Sequence, residues 1–288
     1  MTNIGFIGLG IMGGPMASHL SNNGYNLSVF NRSKEKSEKW LTKNTKAKVC
    51  FSIKDVATDC DIIILCVGND NDVRQIVNEI KTLIKPGTPV IDHTTTSAEL
   101  AKEMNKILAE QGSYFLDAPV SGGEAGAQKG ALSVMVGGDE TVYMSIKEVL
   151  DSYSKFSKFM GPSGYGQLTK MVNQICIAGL LQGLAEGMNF SEKAGLNSKD
   201  VLEVISKGAA QSWQMENRWH TMLEDEFDHG FAVDLMRKDL EIIIQKAEHE
   251  NISLEVTKIV NDYYKEIQKS GGGKWDTSSL YKRLKDNL

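Results

Sequence analysis

No stretch of this 288-residue sequence approaches the roughly 18 consecutive apolar residues that mark a membrane-spanning helix. The apolar run Ile4-Gly5-Phe6-Ile7-Gly8 is too short, and its start too uncharged, for a signal peptide. The expected location is therefore the cytoplasm, with no membrane partner. Cysteine is scarce. Cys50, Cys60, Cys66 and Cys176 form no Cys-x-x-Cys pair and no metal-like cluster with histidine, so reduced, mostly buried thiols are expected. The five histidines, His19, His93, His220, His229 and His249, are scattered without ligand spacing, and no metal is expected. A basic excess is also missing: 32 Lys and Arg stand against 37 Asp and Glu, which argues against a nucleic-acid partner. Internal repeats and low-complexity tracts are absent.

What remains is a globular balance, 41% hydrophobic and 24% charged, in a chain long enough for one large domain or two ordinary ones. Up to about residue 160, short apolar runs alternate with amphipathic stretches. The strand candidates are Ile4–Ile7, Leu27–Phe30, Ile62–Val67, Val90–Asp92, Tyr114–Leu116 and Leu132–Val136. Helical stretches such as Asp72–Ile84 and Ala98–Gln111 lie between them. This alternation predicts an α/β fold with a doubly wound parallel sheet, and runs such as Ile62-Ile63-Ile64-Leu65 suit strands covered on both faces. After Gly161-Pro162-Ser163-Gly164 strand signals stop and helical periodicity runs to the C-terminus. Two domains follow, 1–162 and an all-α 163–288. The first helix of the second, about Gln167 to Ala194, carries Gly179, Gly183 and Gly187 at four-residue spacing, which predicts a face where another helix packs closely.

Gly8-Leu9-Gly10-Ile11-Met12-Gly13 fits Gly-x-Gly-x-x-Gly, with a strand before it and a helix after it. In that setting the first glycine permits the tight turn, the second lets backbone approach a pyrophosphate, and the third lets helix and strand pack. The helix N-terminus offers unpaired N–H groups to the anion. These are the marks of a Rossmann-type dinucleotide site, hence of a nicotinamide-dependent oxidoreductase. An acidic residue usually follows the second strand to hold the ribose 2′-hydroxyl. Here Asn31-Arg32-Ser33 follows it, and no acidic residue occurs between Gly8 and Glu35. A guanidinium at that place favours a 2′-phosphate, so NADP is expected, with NAD possible.

Four segments resemble the 3-hydroxyisobutyrate dehydrogenase, or β-hydroxyacid dehydrogenase, family over the full length. They are Gly8–Ala17, Asp117-Ala118-Pro119-Val120-Ser121-Gly122-Gly123, Lys170 with Asn173, and Lys238-Asp239 after Phe231. The resemblance implies a Rossmann-type domain, a long interdomain helix and an all-α C-terminal domain. It implies that Thr95, Phe231 and Lys238 contact the cofactor and that Val67-Gly68-Asn69 lines the site. His19 and Gln174 depart from the common pattern. The Asn173-Gln174 pair is closer to tartronate semialdehyde reductases, and Arg32 to glyoxylate and succinic semialdehyde reductases.

The expected chemistry is hydride exchange between a nicotinamide and a short β-hydroxyacid or its semialdehyde. Ser121, Gly122 and Gly123 follow a strand end and offer backbone N–H groups and a hydroxyl to a substrate carboxylate. Lys170 is the acid/base candidate: its ammonium can polarise a carbonyl and protonate the forming alkoxide. Burial or a nearby cation, with Lys238 the candidate on the resemblance, would bring its pKa toward neutrality. Asn173, three residues on, shares its helix face and joins the substrate-binding set. An imine reductase and a non-catalytic dinucleotide-binding module are the competing readings; Lys170 and the carboxylate loop count against the first, and the presence of Lys170 against the second. A homodimer or homotetramer is expected.

Overall fold

The structure, a computed structural model, describes residues 2–286. It divides into two compact units, Met1–Lys170 and Met171–Leu288.

The first unit opens with strand β1 (Asn3–Ile7), helix α1 (Gly13–Asn22), β2 (Asn26–Phe30), α2 (Lys34–Leu41), β3 (Lys48–Val49), α3 (Ile53–Ala57), β4 (Ile62–Leu65) and α4 (Asp70–Ile80). It continues with β5 (Pro89–Asp92), α5 (Ala98–Ala109), β6 (Tyr114–Asp117), β7 (Val120–Ser121), α6 (Gly123–Gln128), β8 (Leu132–Gly137), α7 (Glu140–Asp151) and β9 (Ser154–Gly161). The sheet order is β3-β2-β1-β4-β5-β6-β8-β7, with β9 paired to β8. Side chains of a strand point alternately to the two faces. In β4, Ile62 and Ile64 join one core with Met16, Ala17 and Leu20 of α1, while Ile63 and Leu65 join the other with Val73 and Val77 of α4. Burial on both faces explains why β4 reads as an unbroken apolar run.

The sheet is parallel from β3 to β6, as expected, and mixed beyond. There β6 and β7 both pair antiparallel to β8, while β9 pairs parallel to it. Only ten residues separate Ser121 from Leu132, too few for a parallel crossover, which takes a dozen or more, so the chain reverses instead. Three strands carry no run in the sequence. β3 and β7 have two residues each, and β9 is an edge strand, Ser-Lys-Phe-Ser-Lys-Phe-Met-Gly, whose lysines suit an exposed edge.

Helix α8 (Tyr165–Lys193) runs from the first unit into the second, which continues with α9 (Ser198–Ile205), α10 (Trp213–Leu223), α11 (Val233–His249), α12 (Glu255–Lys269) and α13 (Leu280–Asp286). Its core includes Leu181, Met188, Trp219, Leu240, Val260 and Tyr264. The close packing expected on the glycine face of α8 is not found. Gly183 and Gly187 have nothing within 4 Å of where a Cβ would stand, and at Gly179 the nearest atom is Val256 Cγ1 at 3.8 Å. Among the described residues, then, these glycines leave open surface rather than a tight helix contact. Cys176 is exposed, unlike the buried Cys50 and Cys60.

Two acids at the ends of β5 and β6 are fully buried. Burial, with the Asp117 carboxylate nearby, pushes the Asp92 carboxyl up to about 7, and burial pushes Asp117 up to about 6. Asp92 Oδ1 accepts from Thr94 N at 2.9 Å, whereas Oδ2 has no partner. An Asp in an unfolded chain titrates near about 3.9. The native state therefore holds a proton between about pH 4 and 7 that the unfolded state has lost, and stability from this group falls as pH rises through that window. Asp92→Asn keeps the acceptor for Thr94 and removes the charge. Its melting temperature should match the wild type near pH 5 and exceed it near pH 8, by the equivalent of about 3 kcal/mol. Thermal melts at the two pH values check this; equal melting temperatures near pH 8 would show that Asp92 ionises without cost.

Candidate active site

The glycine-rich turn lies between β1 and α1, and its three glycines are needed for different reasons. Gly8 has φ +104, and a Cβ there would stand 2.2 Å from Cys66 O. A Cβ on Gly13 would stand 2.0 Å from Gly8 O. Gly10 is different: a Cβ there would meet nothing within 4 Å. Protein packing thus explains the first and third glycines, and the open space in front of the second fits a ligand approaching the backbone. Helix α1 begins with no side chain capping it and no acid in its first turn, so its N-terminal dipole faces outward unopposed by its own residues. Leu9 is buried and Ile11 and Met12 complete the turn. Leu9 N donates to Asn31 Oδ1 at 2.9 Å, and Asn31 Nδ2 donates to Ser33 O at 3.0 Å, so Asn31 stitches the turn to the end of β2. A diphosphate fits this cradle.

Arg32 projects into solvent, its side chain 90% exposed, and pairs with Asp72 Oδ1 at 3.5 Å. Asp72 Oδ2 accepts from Gly68 N at 3.2 Å. Asp72 is a site neighbour that sequence reasoning missed, since forty positions separate it from Arg32 and no motif links them. A surface pair of this kind contributes at most about 1 kcal/mol, so an anion can displace it.

The connections after β4, β5 and β6 are tied to one another. Val67 N donates to Thr94 Oγ1 at 3.0 Å. Asn69 caps α4, its Oδ1 accepting from Asn71 N and Asp72 N. This gives Asn69 a structural duty that helix signals could have revealed. Thr95 is half-buried between Thr94 and Thr96, both of which bond to the Gln167 amide. Ser121 ends β7; Gly122 has φ +135 and Gly123 φ +62, conformations that favour glycine. No side chain caps α6, which starts at Gly123. Asp117 at the end of β6 fastens the start of α8: its Oδ1 accepts from Gly164 N at 2.8 Å and its Oδ2 from Gln167 N at 2.9 Å. Lys170, one turn further on, is only 7% exposed. His93 is structural: Nδ1 lies 2.6 Å from Ala118 O and Nε2 2.9 Å from Tyr153 Oη, and burial pushes its pKa down to about 4.

In the second unit Asn173 Nδ2 donates to Gln174 Oε1 at 2.8 Å, and Gln174 Nε2 donates to the buried Asp239 Oδ2 at 2.7 Å. Lys238 Nζ lies 3.1 Å from Asp239 Oδ1. Gln174 and Lys238 thus meet at one carboxylate, Asp239, and Asn173 is linked to it through Gln174. Phe231 is held through its backbone N–H, which donates to Asp276 Oδ2 at 2.8 Å. Among the described residues no group of three or more His, Cys, Asp or Glu side chains could hold a metal ion. None of the described helices is long and apolar enough to cross a membrane.

Residues 3–174 match the family described as the NAD binding domain of 6-phosphogluconate dehydrogenase. Residues 164–284 match that described as the NAD-binding of NADP-dependent 3-hydroxyisobutyrate dehydrogenase. The chain belongs to the β-hydroxyacid dehydrogenase family. It is an NAD(P)-dependent oxidoreductase acting on hydroxyl groups, with a Rossmann-type domain and a helical C-terminal part. Among β-hydroxyacid dehydrogenase relatives, 2-hydroxy-3-oxopropionate reductase of Escherichia coli is 32% identical over 98% of this chain and 96% of its own. An uncharacterized oxidoreductase of Shewanella frigidimarina is 49% identical over 99% of this chain and 98% of its own. A solved 3-hydroxyisobutyrate dehydrogenase of Mycobacterium tuberculosis with L-serine superposes with TM-score 0.90 at 27% identity, covering 99% of both chains.

Proposed function

We propose that this chain is an NADPH-preferring reductase of short carboxylate-bearing aldehydes and, in reverse, a dehydrogenase of the matching β-hydroxyacids. The observation that carries the reading is the buried Lys170 on a helix whose first turn Asp117 fastens to the strand leading into Ser121-Gly122-Gly123. One short segment thereby links the ammonium to the loop suited to a carboxylate. The names of the Escherichia coli and Mycobacterium tuberculosis relatives support a substrate of this class.

Gly8 to Gly13 hold the diphosphate and Arg32 the 2′-phosphate. Val67, Gly68, Asn69 and Thr95 flank the nicotinamide end. The bound nicotinamide supplies the hydride. Ser121 Oγ and the N–H groups of Gly122 and Gly123 bind the substrate carboxylate. Lys170 Nζ polarises the carbonyl and gives its proton to the alkoxide oxygen; in oxidation the neutral amine takes the hydroxyl proton. Asn173 orients the same oxygen. Turnover of a carboxylate-bearing aldehyde over its methyl ester tests the loop assignment. Residues 1–162 serve as the cofactor domain and 163–288 as the substrate and oligomerisation domain. A homodimer or homotetramer in the cytoplasm fits the exposed Val172, Leu180 and Phe190 and the open glycines of α8.

The coenzyme preference is tested at Arg32. The wild type should have a higher kcat/KM with NADPH than with NADH. Arg32→Asp removes a charge-assisted contact, adds repulsion and supplies an acceptor for a 2′-hydroxyl, so the preference should reverse, with NADPH weakened about 10- to 100-fold. Wild-type enzyme that uses NADH better would contradict the role given to Arg32.

A further inference from the structure

We propose that Gln167 is a positioning residue for hydride transfer, locking the Thr94–Thr96 connection to the helix that carries Lys170. The inference rests on the role proposed above for Lys170 and Thr95. Gln167 has no exposed surface, yet both ends of its amide are engaged. Oε1 accepts from Thr96 N at 3.1 Å and Nε2 donates to Thr94 O at 2.7 Å. This is the pair of bonds that a neighbouring strand would make to residues two apart, here made by one side chain. Thr95 sits between the two clamped peptides and is half-buried. Thr94 extends the tie, since its Oγ1 accepts from Val67 N. The Gln167 backbone N–H meanwhile donates to Asp117 Oδ2. One residue therefore joins the connections that follow β4, β5 and β6 to a single turn of α8.

The chemistry of the clamp is specific to an amide. It needs a donor and an acceptor side by side at a fixed reach. Glutamate at high pH would set an acceptor against Thr94 O. Methionine has the length but neither function. Lys170 lies three residues after Gln167 on the same helix face, and both are buried. A shift of the clamp would change where Thr95 stands relative to Lys170, and a misplacement of about 1 Å can cost about 10²-fold in rate. The diphosphate cradle at Gly8 to Gly13 makes no bond to Gln167 among those described, so cofactor affinity should be largely independent of the clamp.

The test uses the full-length chain with Gln167→Glu and Gln167→Met, and with Lys170→Met in parallel. Three quantities are read: amide hydrogen exchange of the protein without cofactor, NADPH affinity by fluorescence titration, and kcat with NADPH and its 4-deuterated form for whichever of glyoxylate, succinic semialdehyde, methylmalonate semialdehyde and tartronate semialdehyde the wild type reduces fastest. Expected are faster exchange confined to residues 94–97 and NADPH affinity within about threefold of wild type. Expected too are kcat lower by about 10- to 100-fold and a larger deuterium isotope effect. Gln167→Glu should regain activity at acid pH, where a protonated carboxyl can again donate to Thr94 O. Unchanged exchange at 94–97, or kcat within twofold of wild type, would overturn the proposal. So would a loss of kcat matched by loss of folded protein with the isotope effect unchanged. If Lys170→Met stays active while the Gln167 variants lose rate and exchange protection, it is the Lys170 reading that fails.

Discussion

Replacing Lys170 with methionine is expected to lower kcat by at least about 10²-fold while the fold and NADPH affinity survive. The substitution keeps the length and helix propensity of the side chain and removes its charge and proton. Lys170 is only 7% exposed, so its ammonium is held largely out of bulk water, where its interaction with a carbonyl oxygen is stronger than in solvent. A positioned general acid contributes about 10²- to 10⁴-fold, and lost polarisation of the carbonyl adds to this. Steady-state kinetics with NADPH and the semialdehyde or glyoxylate that the wild type reduces fastest, together with a melting curve, check the expectation. A variant keeping more than about a tenth of wild-type kcat falls well outside the general-acid range and would remove Lys170 from the chemistry.

Gly10→Val should abolish tight NADPH binding without unfolding the protein. The position has an ordinary backbone φ and its missing Cβ would meet nothing within 4 Å, so the fold has room for the new side chain. The room is what the diphosphate needs. Two lost charge-assisted hydrogen bonds at about 1.5–3 kcal/mol each correspond to a Kd raised by about 10²- to 10⁴-fold. Gly13→Val is the contrast, because its Cβ would stand 2.0 Å from Gly8 O and the turn itself must break. Fluorescence titration with NADPH and melting of the cofactor-free protein separate the two outcomes: Gly10→Val should lose affinity at near wild-type melting temperature, Gly13→Val should lose both. Unchanged NADPH affinity in Gly10→Val would mean the open space at Gly10 is not the phosphate cradle.

The sequence disclosed the elements whose side chains are all driven one way. Strands β1, β4 and β5 are buried on both faces, so their apolar runs mark them directly, and α8 shows as a long helical stretch from Gln167 onward. Strand β9 did not show, because an edge strand with Lys155 and Lys158 has no apolar run to read. The reversal at β8 was missed because it is set by the short span from Ser121 to Leu132, which leaves no compositional trace. Of the proposed site, Gly8, Gly10 and Gly13 are read from spacing and context, and Lys170 and Asn173 from a family resemblance. The pairings of Asp72 with Arg32, of Gln167 with Thr94 and Thr96, and of Asp239 with Gln174 are not. Each joins partners 40 to 73 positions apart, some of them backbone groups, and pairings of that kind are made by the fold alone. The glycines of α8 mislead for a related reason: spacing shows that a face is small, not what covers it.

The central claim is that this chain transfers hydride from NADPH to a short aldehyde held by its carboxylate. Initial rates of NADPH oxidation with purified enzyme test it most directly. The panel is glyoxylate, succinic semialdehyde, methylmalonate semialdehyde and tartronate semialdehyde, with a cyclic imine and an uncharged aldehyde of matching length beside them. The account predicts turnover of at least one acid, loss of that turnover in Lys170→Met, and little or none with the uncharged aldehyde or the imine. Turnover of the imine alone, or of none of the carbonyl compounds with either coenzyme, would contradict it.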